Sequence, residues 1–438
     1  VSDNDPSRAR ISGVHATALV VANMVGTGIF TTSGFLIADL GRPLYVLGLW
    51  LLGGLAALCG ALVYAELGAA LRRAGGEVVF LARAWHPSVA FAAGWISLIV
   101  GFAAPVAASA MAFGKYLNAA TGAPPLVSAV LLIIVVSFAH AGDVRLGGRF
   151  QLVVTGVKLV LLFLLLTASL TSDALDPGRL LQAAEGVKPS WSAAAVGLIF
   201  VSYSYSGWNA AAYLAGEIDD AERNIPRALL LGSSFVTVLY LALNALFFSA
   251  VPAAELAGKI EVGHVATVAL FGEEIGRAFS TAIALALVSS VSAMILAGPR
   301  VAVFLAEEKL LPAALGKRRA GGSPVVAVLS QAVLAIACAL TATFDSLLMF
   351  VGFTLSITAA ATVLGAWRLR ITEPDLERPF RTPLWPLPPL VFVGLATWMV
   401  VFSLSERPWA GLAGVLVLAL VGAGAWLNSR KAASSNAG

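Results

Sequence analysis

Charge is scarce in this chain. Asp, Glu, Lys and Arg make up 12% of its 438 residues, hydrophobic residues 59%, and the mean hydropathy is +0.89. So little polar material cannot cover the surface of a water-soluble domain. Lipid is then the solvent, and only helices or closed barrels satisfy their backbone there. The apolar runs are long and continuous instead of short and alternating, which selects an all-α integral membrane protein over a barrel. Cysteine is scarce too: Cys59 and Cys338 both lie in apolar runs, which excludes a disulfide framework. The four histidines, His15, His86, His140 and His264, are too scattered for a metal site. No nucleotide-binding loop, Ser/His/Asp constellation or zinc spacing occurs, so no enzyme, no cofactor and no ATP-driven pump is expected. Val1 to Arg10 is polar without a cleavable signal pattern, and no soluble domain is expected at either tail.

What is present reads as twelve transmembrane helices. They fall near 13–39, 44–70, 88–114, 126–141, 149–170, 192–216, 228–251, 266–306, 324–342, 346–367, 385–404 and 409–427. The segment 266–306 is too long for one simple crossing, and its start around Gly272-Glu273-Glu274 is expected to be an outer loop or interfacial helix. With the N-terminus in the cytoplasm, nineteen of the 28 Lys and Arg residues fall inside and seven outside. That bias sets the topology, with both termini (1–12 and 429–438) cytoplasmic. The same bias accounts for the net charge of +4, and a nucleic-acid partner has no folded domain to bind it.

Two spans are interrupted. Gly26-Thr27-Gly28 breaks the first and Tyr205-Ser206-Gly207 the sixth, with Gly26 and Ser206 180 residues apart. Breaks at matching places in oppositely oriented halves point to an inverted-repeat transporter and its binding site. The halves are 13–170 and 171–370, a 5+5 core, and 371–428 adds two C-terminal helices. Unwinding at Gly26 frees N–H groups at the start of the outer half-helix, which suit a carboxylate. Carbonyls near Asn23-Met24-Val25 and Tyr203-Ser204-Tyr205 are freed as well and suit an ammonium. Both polarities together match the head group of an α-amino acid. Glycines that merely allow close helix contact are the bland alternative, weakened by the paired occurrence. Bulky substitution of Gly26 or Gly28 is expected to abolish binding and spare the fold.

Lys158 lies in the otherwise uncharged run Val153 to Phe163, nine residues past Arg149. At helical rise that is roughly 13 Å into the span. A charge there is usually kept for a cavity, an ion path or a partner, although snorkelling to the interface is the plainer reading.

Gly26-Thr27-Gly28-Ile29-Phe30 resembles the signature of the amino acid–polyamine–organocation (APC) superfamily. Tyr64-Ala65-Glu66-Leu67-Gly68 with Gly75-Gly76-Glu77, Tyr205-Ser206-Gly207-Trp208-Asn209, Arg223-Asn224-Ile225-Pro226-Arg227 and Gly298-Pro299-Arg300 are similar to its later motifs, in order, and the sixth-span run resembles the L-type amino acid transporter branch. The resemblance implies the LeuT-type 5+5 inverted repeat with discontinuous helices 1 and 6. It carries substrate contacts onto Val25, Gly26, Thr27, Gly28, Tyr203, Ser204, Ser206 and Tyr240, with Tyr203 and Trp208 as gates. It implies that Lys158 replaces a sodium ion between spans 1 and 8, reaching the freed span 1 carbonyls and Ser289 or Ser292. Ser206, where the branch has Gly, favours small substrates.

The expected function is sodium-independent exchange or facilitated flux of small neutral amino acids in a bacterial inner membrane. A proton-coupled or organic amine transporter of the same superfamily is the alternative; for cationic amines it lacks a carboxylate near either break. A non-transporting receptor or channel would need sensor domains or a polar stripe. Eukaryotic L-type relatives bond a heavy subunit through the loop after span 3. Here Tyr116 to Pro125 holds no cysteine, so no disulfide-linked partner is expected. Glu66 and Glu217 are expected to pair with cytoplasmic arginines.

Overall fold

A computed structural model describes residues 11–73, 75–142, 148–184, 186–307, 311–319 and 322–406, with only the backbone of 87 and 148–152. The expected twelfth span at 409–427, both outer tails, and Arg8, Arg10, Arg145, Lys309, Arg407, Arg430 and Lys431 lie outside the described residues.

Among the described residues the chain is all-helical apart from one isolated bridge, Ile11 with Ile218. The helices are α1 Gly13–Met24, α2 Gly28–Leu40, α3 Pro43–Leu71, α4 Glu77–Ala84, α5 Pro87–Ile96, α6 Ala104–Thr121, α7 Pro125–Ala141, α8 Gly148–Ser169 and α9 Trp191–Tyr205. They continue as α10 Ala210–Tyr213, α11 Ala221–Ala250, α12 Ala253–Leu256, α13 Val262–Phe271, α14 Glu273–Glu307, α15 Ala313–Gly316, α16 Val325–Thr341, α17 Phe344–Thr372 and α18 Leu387–Glu406. Six of the described helical stretches are long and apolar enough to cross a membrane. The pair α1 and α2, bent by 41° at its break, makes a seventh if taken as one span.

Two stretches differ from the sequence expectation. Between α5 and α6 the chain winds as a π-helix, Ser97–Ala103. Pro105, in the first turn of α6, has no N–H to give the preceding turn, and a wider turn absorbs the missing bond. The segment 266–306 divides at Gly272: α13 ends there, and α14 is one helix of 35 residues. At helical rise α14 is roughly 50 Å long, more than a bilayer core of about 30 Å. Of the outer loop or interfacial helix expected around Gly272, Glu273 and Glu274 open a helix. Acidic residues suit a helix N-terminus, and Arg277 fastens to Glu273 one turn on at 3.0 Å.

The core is built where α11 packs on α3 and α1, α2 on α9, and α14 on α6. Among the described residues a strongly charged cluster ties α3 to the end of α17. Glu66, 2% exposed, takes Arg370 in a two-pronged contact at 2.8 and 2.5 Å, Arg378 at 3.4 Å, and the Thr382 N–H at 2.8 Å. Arg370 also stacks on Trp385 at 3.7 Å. The Glu66 pairing expected from sequence is present. Among the described residues Glu217 enters no ion pair; its backbone carbonyl accepts from the Ile11 N–H, and Arg223 turns to Asp220.

Removing Arg370 takes the two-pronged partner from a buried carboxylate and leaves it Arg378 and the Thr382 N–H. Arg370→Ala is expected to cost at most about 3–5 kcal/mol and to lower the apparent melting temperature in detergent. Arg370→Lys should recover only part, since an ammonium cannot make the paired contact. An unchanged melting curve for Arg370→Ala would contradict this.

Candidate functional site

The two broken helices meet. α1 stops at Met24 and α2 starts at Gly28, while α9 stops at Tyr205 and α10 starts at Ala210. A Cβ on Gly28 would come within 2.5 Å of Ser204 Cα. Gly207, with φ +96°, lies so close to Asn23 that a Cβ would stand 2.9 Å from its carbonyl carbon. Each break thus uses a glycine where the other strand of chain passes, once on either side of the gap.

Hydrogen bonds close one side. Thr27 Oγ1 and Tyr203 Oη are 3.0 Å apart, and Thr32 Oγ1 and Ser204 Oγ 2.9 Å. Tyr116 Oη donates to Phe30 O at 2.8 Å. Thr27, Tyr203 and Ser204 are all buried. Around the other side, Asn23 is exposed and Gly26, Ser206 and Gly207 are partly so. A Cβ on Gly26 would find nothing nearer than Met24 O at 3.9 Å. Bare backbone at Gly26 therefore borders open space, beside the first N–H groups of α2, which no side chain caps.

The freed carbonyls are not vacant. Met24 O accepts from Tyr240 Oη at 2.6 Å and from the Gly26 N–H at 2.7 Å. Tyr240 Oη also lies 3.2 Å from Ser204 O, bridging the two breaks. Val25 O accepts from Lys158 Nζ. Lys158 is 4% exposed, so its amine is buried at the break and does not snorkel. An ammonium from a ligand would use second lone pairs or other carbonyls near the breaks.

Of the residues singled out from sequence, Val25, Gly26, Thr27, Gly28, Tyr203, Ser204, Ser206, Tyr240 and Lys158 all come together here. Ser289 and Ser292 do not join Lys158 by a hydrogen bond. Both are buried on α14, and Ser292 Oγ pairs with His140 Nε2 at 2.9 Å. Trp208 packs edge-on against Tyr64 at 4.7 Å and Phe392 at 6.0 Å, tying the second break to α3 and α18. Sequence reading missed Thr32, Tyr116 and Asn244, whose amide oxygen accepts from Ser33 Oγ. The signal was available: Thr31-Thr32-Ser33 is a polar triplet just past a break, within an apolar span.

Residues 11–429 match the family model described as amino acid permease. The chain belongs to the amino acid permease family, whose members are transporters and not enzymes. It is similar to Asc-type amino acid transporter 1 of Mus musculus, 26% identical over 433 residues, covering 94% of this chain and 79% of that protein. Similarity to b(0,+)-type amino acid transporter 1 of Mus musculus is 27% over 425 residues, 93% and 85% of the two chains. The cystine/glutamate transporter of Homo sapiens is 26% identical over 428 residues, 94% and 83%.

The two glycines of the first break should now differ. Gly26→Val is expected to keep the melting behaviour and lose binding of radiolabelled amino acid. Gly28→Val, expected from sequence to spare the fold, meets Ser204 and should lose both. Unaltered binding by the Gly26→Val protein would contradict the site.

Proposed function

We propose that the chain is a sodium-independent secondary transporter of small neutral amino acids, exchanging or facilitating their passage by alternating access. Its architecture in this reading is twelve spans in a LeuT-type 5+5 inverted repeat with two additional C-terminal helices, both termini cytoplasmic, in a bacterial inner membrane. The carboxylate of the substrate sits on the N–H groups that open α2, beside Gly26. Thr27 and Tyr203 form the lid on one side, and Ser206 shortens the space for the side chain. Tyr240 holds Met24 O and Ser204 O at fixed distance, so the two breaks keep one shape around the head group.

The observation that supports this most is Lys158 on Val25 O. A fixed ammonium already joins α8 to the broken span, where a sodium-dependent protein of this shape would need an ion. The relatives' names, which include amino acid transporters of several specificities, favour the amino acid class. No disulfide-linked partner is proposed, because 122–124 between α6 and α7 holds no cysteine and Cys59 and Cys338 lie within α3 and α16.

Uptake into proteoliposomes preloaded with a panel of unlabelled amino acids tests the reading. Alanine, serine or glycine inside should accelerate uptake of labelled alanine equally in sodium and in choline. Ser206→Gly should shift preference toward larger side chains by about tenfold, as one small group in a pocket does. A wild-type preference for leucine or tryptophan, or a sodium requirement, would overturn it.

A further inference from the structure

Glu77 opens α4 directly after Gly75 and Gly76, and nothing in the substrate site uses it. It is 6% exposed. Its Oε1 accepts from Tyr64 Oη at 2.6 Å and from Asn209 Nδ2 at 3.2 Å. Tyr213 and Thr358 lie close to it as well. Among the described residues it enters no ion pair.

Asn209 and Tyr213 bracket α10. A helix of four residues cannot hold itself, so its neighbours decide where it sits. The start of α4 grips both ends. Glu77 takes Asn209, and the Gly75 N–H donates to Tyr213 O at 3.1 Å. Past α10 the chain is stitched to the start of α1: the Ile11 N–H donates to Glu217 O at 2.9 Å, and the Asp219 N–H to Ile11 O at 3.0 Å. The short half of one broken helix is therefore joined to the corresponding half of the other, and Glu77 ties the pair to α4.

We propose that Glu77 is a proton-binding latch: its neutral carboxyl holds α10, and α1 with it, docked against α4, and its ionisation releases them. The inference rests on the alternating-access reading above. Burial pushes the Glu77 carboxyl above its ordinary value and outweighs its hydrogen bonds, which pull the other way. Once released into water the group returns to that ordinary value. A group with the higher pKa when docked holds its proton more tightly there, so docking is strongest at low pH. It weakens as pH rises through the docked pKa. Facing Glu77 are Tyr64 from α3, Tyr213 from α10 and Thr358 from α17, none of them charged near neutrality. α5, packed on α4, has no titratable residue, and Arg83 of α4 is taken by Glu373 at 2.9 Å.

The test places a thiol on α10, as Ala210→Cys with Cys59→Ala and Cys338→Ala, and follows maleimide labelling of the purified protein across pH without any amino acid. Glu77→Gln, permanently neutral, supplies the reference, so the intrinsic pH dependence of the thiol divides out. The labelling ratio of Glu77 protein to Glu77→Gln protein should be near one at low pH. It should climb with pH, by about tenfold for each unit that docking raises the pKa. Asn209→Ala removes the donor and keeps the carboxyl, and should label faster even at low pH. A ratio that stays flat overturns the latch, as does an Asn209→Ala protein labelled like its parent at low pH. Labelling needs no substrate, so a failed latch and a wrong substrate give different results.

Discussion

A backbone that stops being helical inside an apolar protein must still find partners for its carbonyls. The protein meets that constraint at Val25 with a lysine. Lys158 Nζ on Val25 O joins α8 to the end of α1. Met24 O, one residue earlier, is met by a tyrosine from α11. The two donors let the first span stay broken. Because it stays broken, α2 presents the uncapped N–H groups that an acidic ligand needs.

The second break is organised around the first. Gly28 lies against Ser204 and Gly207 against Asn23, so neither break can close up or drift without the other. The half-helices on one side of the gap, α2 and α9, are bonded through Thr27 to Tyr203 and Thr32 to Ser204. On the other side α1 and the segment after α10 are bonded through Ile11. A gap flanked by two such pairs can open on either side in turn, which is what alternating access requires. The ionic clamp of Glu66, Arg370 and Arg378 lies apart from these pairs and anchors the chain after α17 onto α3.

Much of this was legible in the sequence for physical reasons. Long apolar runs mark helices whatever the tertiary structure, so α3, α7, α16 and α17 lie close to where hydropathy puts them. Gly-Thr-Gly and Ser-Gly stand out because such residues interrupt runs that otherwise favour helix. A lysine in mid-span stands out because it is costly. What could not be read is the choice of partner. Ser292 shares a face of α14 with Ser289, yet His140 from α7 takes it, and spacing along one helix says nothing about which neighbour arrives. The π turn before Pro105 and the uninterrupted length of α14 depend likewise on local bonds that composition does not carry. Glu77 read only as part of a motif, because its burial against Asn209 appears when α4 folds back on the second break.

The central claim is that Lys158 substitutes a fixed charge for a bound cation and so sustains the broken helix through the transport cycle. Stranding Val25 O in a dry interior costs about 1–3 kcal/mol. The most direct measurement compares Lys158→Ala with the unsubstituted protein for both equilibrium amino acid affinity and exchange rate. The account predicts that exchange falls far more than affinity or melting temperature, in sodium and in choline alike. A Lys158→Ala protein that exchanges amino acids at the normal rate would contradict it.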